Sequence, residues 1–300
     1  MSPTFTMLVG LPGSGKSVKA KEIAKKTGAT IFSSDELREE MFGDVNHQND
    51  NTKLFEELHK RIKDCLREGN SAIYDATNIN YKRRMSFLAE LKKITCEKVC
   101  IVVATPYEVC LNRNANRDRK VPEHVIERMY RQFNVPYWYE GWDLIQIEYG
   151  SNFCGCYGTA FDFCEQYHEY DQKNSHHELT LGDHCYSVGY QLQLAKNSEL
   201  MIAGLLHDCG KPFCATNVNK KGEVTEDIHY YDHQYCGAYN SLFYKYRRGE
   251  DPLYVSILIH WHMQPYFNKE EKTKEKYRRL WGESLYEDIM ELHRADEAAH

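Results

Sequence analysis

The sequence predicts an α/β domain, a parallel sheet with helices on both faces, followed by an all-α domain. Three observations lead there. Over residues 1–149 short apolar runs alternate with amphipathic segments, from about residue 178 onward the apolar spacing turns helical, and eleven of the fourteen histidines lie after residue 150. A chain of 300 residues, 42% hydrophobic and 27% charged, is long enough to give both domains a core.

Taken in order, FTMLV, TIFSSD, SAIYD, KVCIVVA and DLIQIEY read as strands. Amphipathic stretches starting at Lys16, near 51–68 and near 81–93 fall between them, which is the βαβ order of a parallel sheet. The first domain is therefore placed at 1–149. Residues 150–177 are irregular, with glycines, cysteines and aromatics, and read as a linker. In the second domain, 178–300, helices are expected at 183–196, 198–207, 232–248, 251–262 and 283–299, with little strand-like alternation.

Charge narrows the function. The net charge of −6 divides into +2 for residues 1–149 and −8 for the remainder, which excludes the footprint of a duplex-coating protein. Only Arg113, Arg117, Arg119 and Lys120 form a short basic stretch suited to phosphates. No run of eighteen apolar residues occurs and the N-terminus lacks a charged leader, so a cytoplasmic protein without a membrane segment is expected. The eleven cysteines, an odd number without a regular framework, read as reduced thiols. Cys154, Cys156 and Cys164 lack a paired CxxC arrangement, and zinc binding is their lesser reading.

The most specific motif is Gly10-Leu-Pro-Gly13-Ser14-Gly15-Lys16-Ser17, a full GxxxxGKS between an apolar strand and a helix. Its glycines let backbone N–H groups curl around phosphates, Lys16 adds a mobile positive charge, and the Ser17 hydroxyl suits Mg²⁺. ATP or another nucleoside triphosphate with Mg²⁺ is thus the expected cofactor. Asp35 follows the second strand at the carboxyl edge of the sheet, with Arg38 three residues on. The carboxylate is placed either to take a proton from an attacking hydroxyl or to cap a helix. Asp75, ending the third strand, either helps hold Mg²⁺ or organises the strand end.

The texts GLPGSGKS, DELR, DATNINYKRR, RNANRDRKVP and ERMY, in this order over about the first 135 residues, resemble the bacteriophage-type 5′-polynucleotide kinase family. The resemblance implies Asp35 as general base on a 5′-hydroxyl, Arg38 as the clamp on the acceptor phosphate and Arg117 as the lid arginine on the transferring phosphoryl group. The segment after Arg117 departs from the family spacing by one residue, so Arg119 or Arg113 shares candidacy for the lid.

The second half presents His184, then LLHDCGKP with His207, Asp208 and Lys211, then DHQYCGA with His233, LIHWHMQP with His260 and His262, and RADEAA with Asp296. A lone buried histidine is more often a hydrogen-bonded core residue than a ligand, but an adjacent His-Asp at the end of an apolar helix needs a partner. The spread resembles the HD phosphohydrolase superfamily. That resemblance implies metal ligation by His184, His207, Asp208, His233, His262 and Asp296, with Asp208 shared, Lys211 on the phosphate, and His262 preferred over His260. One or two divalent transition metals, Mn, Ni, Co, Fe or Zn, suit such donors. His176 and His177 are placed either near the scissile phosphate or as surface residues of the linker.

A kinase joined to an HD phosphoesterase resembles the bifunctional RNA end-healing enzymes. The implied substrates are RNA or DNA ends, one phosphorylated at its 5′-hydroxyl and the other relieved of a 2′,3′-cyclic phosphate or 2′-phosphate, with a nucleic-acid ligase as the implied partner. Two other readings stand beside it: a small-molecule or nucleoside kinase fused to an HD nucleotide phosphohydrolase, and a nucleotide-sensing or RNA-binding module without catalysis.

Overall fold

The structure is a computed structural model describing residues 2–47, 49–117, 119–150, 153–173, 178–194, 197–267 and 270–299. It divides into two compact units: Met1–Ile126 with Pro136–Gly150, and Glu127–Val135 with Ser151–His300.

In the first unit the elements run β1 (Thr4–Val9), α1 (Lys16–Thr27), β2 (Thr30–Ser33), α2 (Ser34–Phe42), α3 (Asn51–Arg67), β3 (Ala72–Asp75), α4 (Tyr81–Glu90), β4 (Glu97–Ala104), α5 (Tyr107–Ala115), α6 (Glu123–Arg131) and β5 (Leu144–Tyr149). The five strands pair in the order β2-β3-β1-β4-β5, all in parallel. Successive strand side chains alternate between faces. On one face Leu8, Ile73, Ile101 and Val103 pack with Ala20, Ile23 and Ala24 of α1. On the other, Phe5 and Tyr74 meet Phe87 of α4, and His59 of α3 packs on both Tyr74 and Phe87. Helices thus cover both faces, and near-continuous apolar strands are what such a buried parallel sheet requires.

Below this sheet lies a fully buried ion pair. Arg84 of α4 donates to both oxygens of Glu140, Nε to Oε2 at 2.7 Å and Nη2 to Oε1 at 2.6 Å, with side-chain exposures of 1% and 0%. Trp142 Nε1 donates to Glu140 as well, and Arg84 Nη1 reaches the carbonyl of Asn78. The second arginine of DATNINYKRR is therefore part of the interior, whereas Arg83 is exposed.

The second unit runs α7 (Ala160–Gln166), α8 (Leu181–Gln191), α9 (Ser198–Leu206), α10 (Lys211–Cys214), β6 (Thr216–Val218), β7 (Val224–His229), α11 (His233–Ser241), α12 (Pro252–Trp261), α13 (Gln264–Phe267), α14 (Glu271–Trp281) and α15 (Glu283–Ala298). Five helices fall where the periodicity placed them, within a few residues except for α11, which ends at Ser241. Three features differ from the sequence expectation. The segment read as a linker holds α7, started by a Thr159–Asp162 capping box and packed on α8 and α9. Polar residues 216–229 form an antiparallel hairpin, β6 with β7. The unit also takes in Glu127–Val135, where the Tyr130 hydroxyl donates to Asn240 Oδ1 at 2.8 Å. The tyrosine of ERMY thus packs with the helical unit, because its ring finds Phe213 and Tyr239 there.

Replacing Arg84 with Met strands Glu140 in the interior. A loss of about 3–5 kcal/mol is expected, read as a lower urea midpoint for the first unit, with Glu140→Gln in the same chain recovering part of it. An unshifted midpoint for Arg84→Met alone would show that the pair adds nothing.

Candidate functional sites

In the first unit the loop after β1 turns sharply into α1. Gly13 has φ 85°, and a Cβ there would lie 2.4 Å from the Cys110 carbonyl oxygen, so only glycine fits. The loop is held from behind: Thr105 Oγ1 donates to the Ser14 carbonyl at 3.0 Å, Gly10 N to the Thr77 carbonyl at 3.1 Å, and Asn78 Nδ2 to the Leu8 carbonyl at 2.9 Å. Lys16 Nζ donates to the Leu11 carbonyl at 2.8 Å, folding its ammonium back over the loop. Burial lowers its pKa, opposed by the negative charges of Asp75 and Asp35. The Ser17 hydroxyl bonds the Asp75 carboxylate, while burial pushes that carboxyl up. A hydroxyl beside a carboxylate at the start of a helix that follows a phosphate-type loop fits a hydrated Mg²⁺ with triphosphate oxygens.

Asp35 stands in the first turn of α2, where the cap is Ser33, whose Oγ accepts from Glu36 N. The alternative of Asp35 as N-cap is therefore removed. Its carboxylate pairs with Arg119, which also donates to the Val45 carbonyl. Arg38 is 5% exposed, and its Nη1 donates to Asn51 Oδ1 at 2.9 Å and to the His47 carbonyl. Arg38 Nε and Arg117 Nε are buried without hydrogen-bond partners among the described residues. Burial lowers both guanidinium pKa values; Arg119 adds to this and Asp35 opposes it. Arg113 Nη1 lies 3.4 Å from the Ser14 carbonyl. Asp35, Arg38, Arg117, Arg119 and Lys16 thus share one electrostatic neighbourhood, and Arg119 is the one in direct contact with Asp35.

In the second unit, five helices deliver one buried cluster. His184 comes from α8, His207 and Asp208 from the end of α9, His233 from the start of α11, His262 from the end of α12 and Asp296 from α15. Asp208 divides its two oxygens. Oδ2 lies 3.2 Å from His207 Nε2 and 3.7 Å from His184 Nε2, while Oδ1 lies 3.1 Å from His233 Nε2 and 3.8 Å from His262 Nε2. Asp296 Oδ1 closes the first group, 3.0 Å from His184 and 3.4 Å from His207. Among the described residues, two candidate ligand groups result, His184-His207-Asp208 and Asp208-His233-His262.

The donor chemistry tests the fit. His207, His233 and His262 each direct Nδ1 at the backbone carbonyl three residues earlier, at 2.7–2.8 Å. With Nδ1–H donating, Nε2 carries the lone pair. Yet His184 and His207 bring Nε2 atoms to 3.2 Å of each other, as do His233 and His262. Burial and the neighbouring His233 and His207 drive His262 down to about 3, so it is neutral near pH 7. Lone pairs converging beside carboxylates fit divalent cations of the imidazole-preferring kind.

Some expectations meet a different arrangement. Lys211 Nζ sits 2.6 Å from Asp208 Oδ2 and donates to Gln172 Oε1 at 2.7 Å, so it neutralises the shared carboxylate from behind. Burial pushes the Asp208 carboxyl up, and Lys211 and His207 together overcome this and hold it well below the usual carboxylate range. Gln172, 1% exposed and lying in the segment read as linker, was not singled out; no periodic signal marks a residue held by Leu179 and Tyr230 backbone and side-chain bonds. His260 packs its ring on Tyr235 at 4.9 Å, apart from both ligand groups. Cys154 and Cys156 are exposed, while buried Cys164 donates its thiol to the Leu205 carbonyl. His176 and His177 lie outside the described residues.

Residues 5–136 match a family described as AAA domain. A curated relative, the L-seryl-tRNA(Sec) kinase of Methanococcus maripaludis, is 30% identical over 146 residues, covering 47% of this chain and 56% of that protein. The chain thus spans about half the length of this relative. Solved structures with similarity include a putative kinase from Chloroflexus aurantiacus, at 17% identity and TM-score 0.41 over 49% of this chain and 88% of that one. Another is the Pnkp1/Rnl/Hen1 RNA repair complex, at 23% identity and TM-score 0.38 over 43% of each chain. The matched residues hold the phosphate-type loop and most of the parallel sheet of the first unit, and among the described residues no helix is long and apolar enough to cross a membrane.

Loading with Mn²⁺ followed by desalting and plasma mass spectrometry tests the shared carboxylate. Asp208→Ala is expected to abolish binding by both groups, whereas His233→Ala is expected to lose roughly half the metal. Equal, partial losses in the two variants would show that Asp208 is not common to both.

Proposed function

We propose that this chain heals broken nucleic-acid ends: the first unit phosphorylates 5′-hydroxyl ends from ATP, and the second hydrolyses 2′,3′-cyclic phosphate or 2′-phosphate ends with divalent metal. One observation carries this reading. A kinase loop with an acceptor-side carboxylate and arginines stands on the same chain as a carboxylate that divides its oxygens between two imidazole pairs. The curated relative, a kinase by name acting on seryl-tRNA, supports an acceptor hydroxyl carried on RNA.

In the first unit the backbone N–H groups of the loop and Lys16 hold the triphosphate. Asp35 takes the proton of the 5′-hydroxyl as the oxygen attacks the γ-phosphorus and the bond to the β-phosphate oxygen breaks. To do so it exchanges its bond with Arg119 for the hydroxyl. Arg119 and Arg117, whose Nε has no hydrogen-bond partner among the described residues, are then available to the transferring phosphoryl group, where positioned charge contributes most of the catalysis. Arg38, anchored by Asn51, orients the acceptor phosphate.

In the second unit the metals, when bound, supply Lewis-acid charge and lower the pKa of water. The protein's part is to fix the ligands: backbone carbonyls orient three imidazoles, Tyr266 orients Asp296, and Lys211 keeps Asp208 ionised.

The test uses RNA oligonucleotides with a 5′-hydroxyl or a 2′,3′-cyclic phosphate. Asp35→Ala is expected to lower transfer from labelled ATP by roughly 100- to 10,000-fold and leave hydrolysis intact, while Asp208→Ala abolishes hydrolysis and leaves transfer intact. Phosphorylation of nucleosides but not oligonucleotides by the wild type would overturn the end-healing assignment.

A further inference from the structure

Tyr266 faces two ways in the second unit. Its hydroxyl donates to Asp296 Oδ2 at 2.9 Å, and its ring lines a cavity of about 240 Å³ walled by α13, α14 and α15. Tyr277, Trp281, Tyr286 and His293 supply the other rings of the wall, with Lys274, paired with Glu271 at 3.5 Å, contributing a cation and Glu297 a carboxylate. The rings are mutually packed: Tyr277 and Trp281 have centroids 4.8 Å apart, Trp281 rests on Trp261 at 5.1 Å, and Tyr266 meets His293 edge-on at 4.4 Å.

Two polar atoms in this wall stand out. Trp281 is 8% exposed, yet its indole N–H has no hydrogen-bond partner among the described residues, and the same holds for His293 Nδ1. A buried indole N–H normally finds an acceptor. Packed aromatic faces with two unmet polar edges call for a flat ligand that offers both π-surface and hydrogen-bonding edges. The volume, below the roughly 300–1,000 Å³ of drug-sized sites, suits a single ring system better than an entire nucleotide.

We propose that this cavity receives the nucleobase of the end whose phosphate is processed at the histidine–aspartate cluster. The base stacks among Tyr277, Trp281 and Tyr286, the Trp281 N–H donates to an acceptor on the base, and His293 Nδ1 meets its polar edge. Lys274 stands at the wall to meet an adjoining phosphate. Tyr266 joins the pocket to the cluster through Asp296, so only one side chain intervenes between the two. The acidic balance of the second half, −8, argues for recognition through a base rather than along a phosphate backbone. The proposal rests on the hydrolase reading above, and stacking tolerates any base, so no base preference is implied.

Calorimetric titration of the full chain loaded with Mn²⁺ compares cytidine 2′-phosphate with ribose 5-phosphate, which lacks the base. The nucleotide is expected to bind about tenfold or more tightly than the sugar phosphate. That advantage should shrink by about tenfold in Tyr277→Ala, and in Trp281→Phe, which keeps a ring but removes the N–H, by a smaller factor. Circular dichroism checks that each variant is folded. Equal affinities in the wild type, or an advantage retained in both variants, would overturn the pocket assignment. Hydrolysis of cytidine 2′,3′-cyclic phosphate is followed on the same samples: a base advantage without hydrolysis would refute the hydrolase reading and leave the pocket in place.

Discussion

A charge taken out of water costs several kcal/mol unless an opposite charge or a ligand meets it, and each unit is organised by how that demand is answered. In the first unit the answer is closed. Arg84 and Glu140 satisfy one another in two parallel bonds, and the remaining donor of Arg84 goes to the Asn78 carbonyl. Asn78 in turn reaches the Leu8 carbonyl, while Gly10 N is tied to Thr77. The buried pair therefore fixes the end of β3 against the end of β1, which is where the phosphate loop starts. In the second unit the answer is left open: carboxylates and imidazole lone pairs converge with Lys211 as the one ammonium bonded to the cluster among the described residues, a donor set that fits a divalent cation.

The residues that local pattern determines were legible in the sequence. Apolar runs punctuated by glycine gave the strands and the phosphate loop, and apolar helices broken by His-Asp or His-x-His gave the stations of the buried cluster. What escaped is what depends on partners distant in sequence. Arg84 belongs to the run of two arginines in DATNINYKRR, in which nothing local tells one from the other, and only Glu140, far along the chain, makes it interior. Residues 150–177 have the composition of a linker, yet the capping box at Thr159 is a local signal for α7, while Gln172 has no local signal at all. Tyr130 reads as the tail of a kinase motif, and its hydroxyl is satisfied by Asn240.

On the proposed function, the two units would meet the same chemical problem, charge on phosphate oxygens, with different materials. The first uses backbone N–H groups of a glycine-turned loop and long cationic side chains. Such groups can shift from one partner to another, as the proposed mechanism asks of Arg119, which pairs with Asp35 in the structure. The second uses short side chains on helix ends, an arrangement that suits the small displacement a metal geometry tolerates.

Locking the imidazoles required no dedicated element. Helix α9 ends at Leu206 with His207 as its cap, and α12 ends at Trp261 with His262 as its cap. The last carbonyls of a helix lack intrahelical donors, and His207 Nδ1 and His262 Nδ1 meet those of Gly204 and Ile259. The same bond therefore terminates the helix, selects the tautomer and turns Nε2 inward. A histidine directly after an apolar helical run is, on this argument, not an arbitrary place for a ligand: it is the position where helix termination itself supplies the orienting partner. Gly210 extends the logic to the next station. A Cβ there would lie 2.0 Å from the His233 carbonyl oxygen, so the glycine of HDCGKP lets α10 approach α11 closely enough for His233 to reach Oδ1 of Asp208.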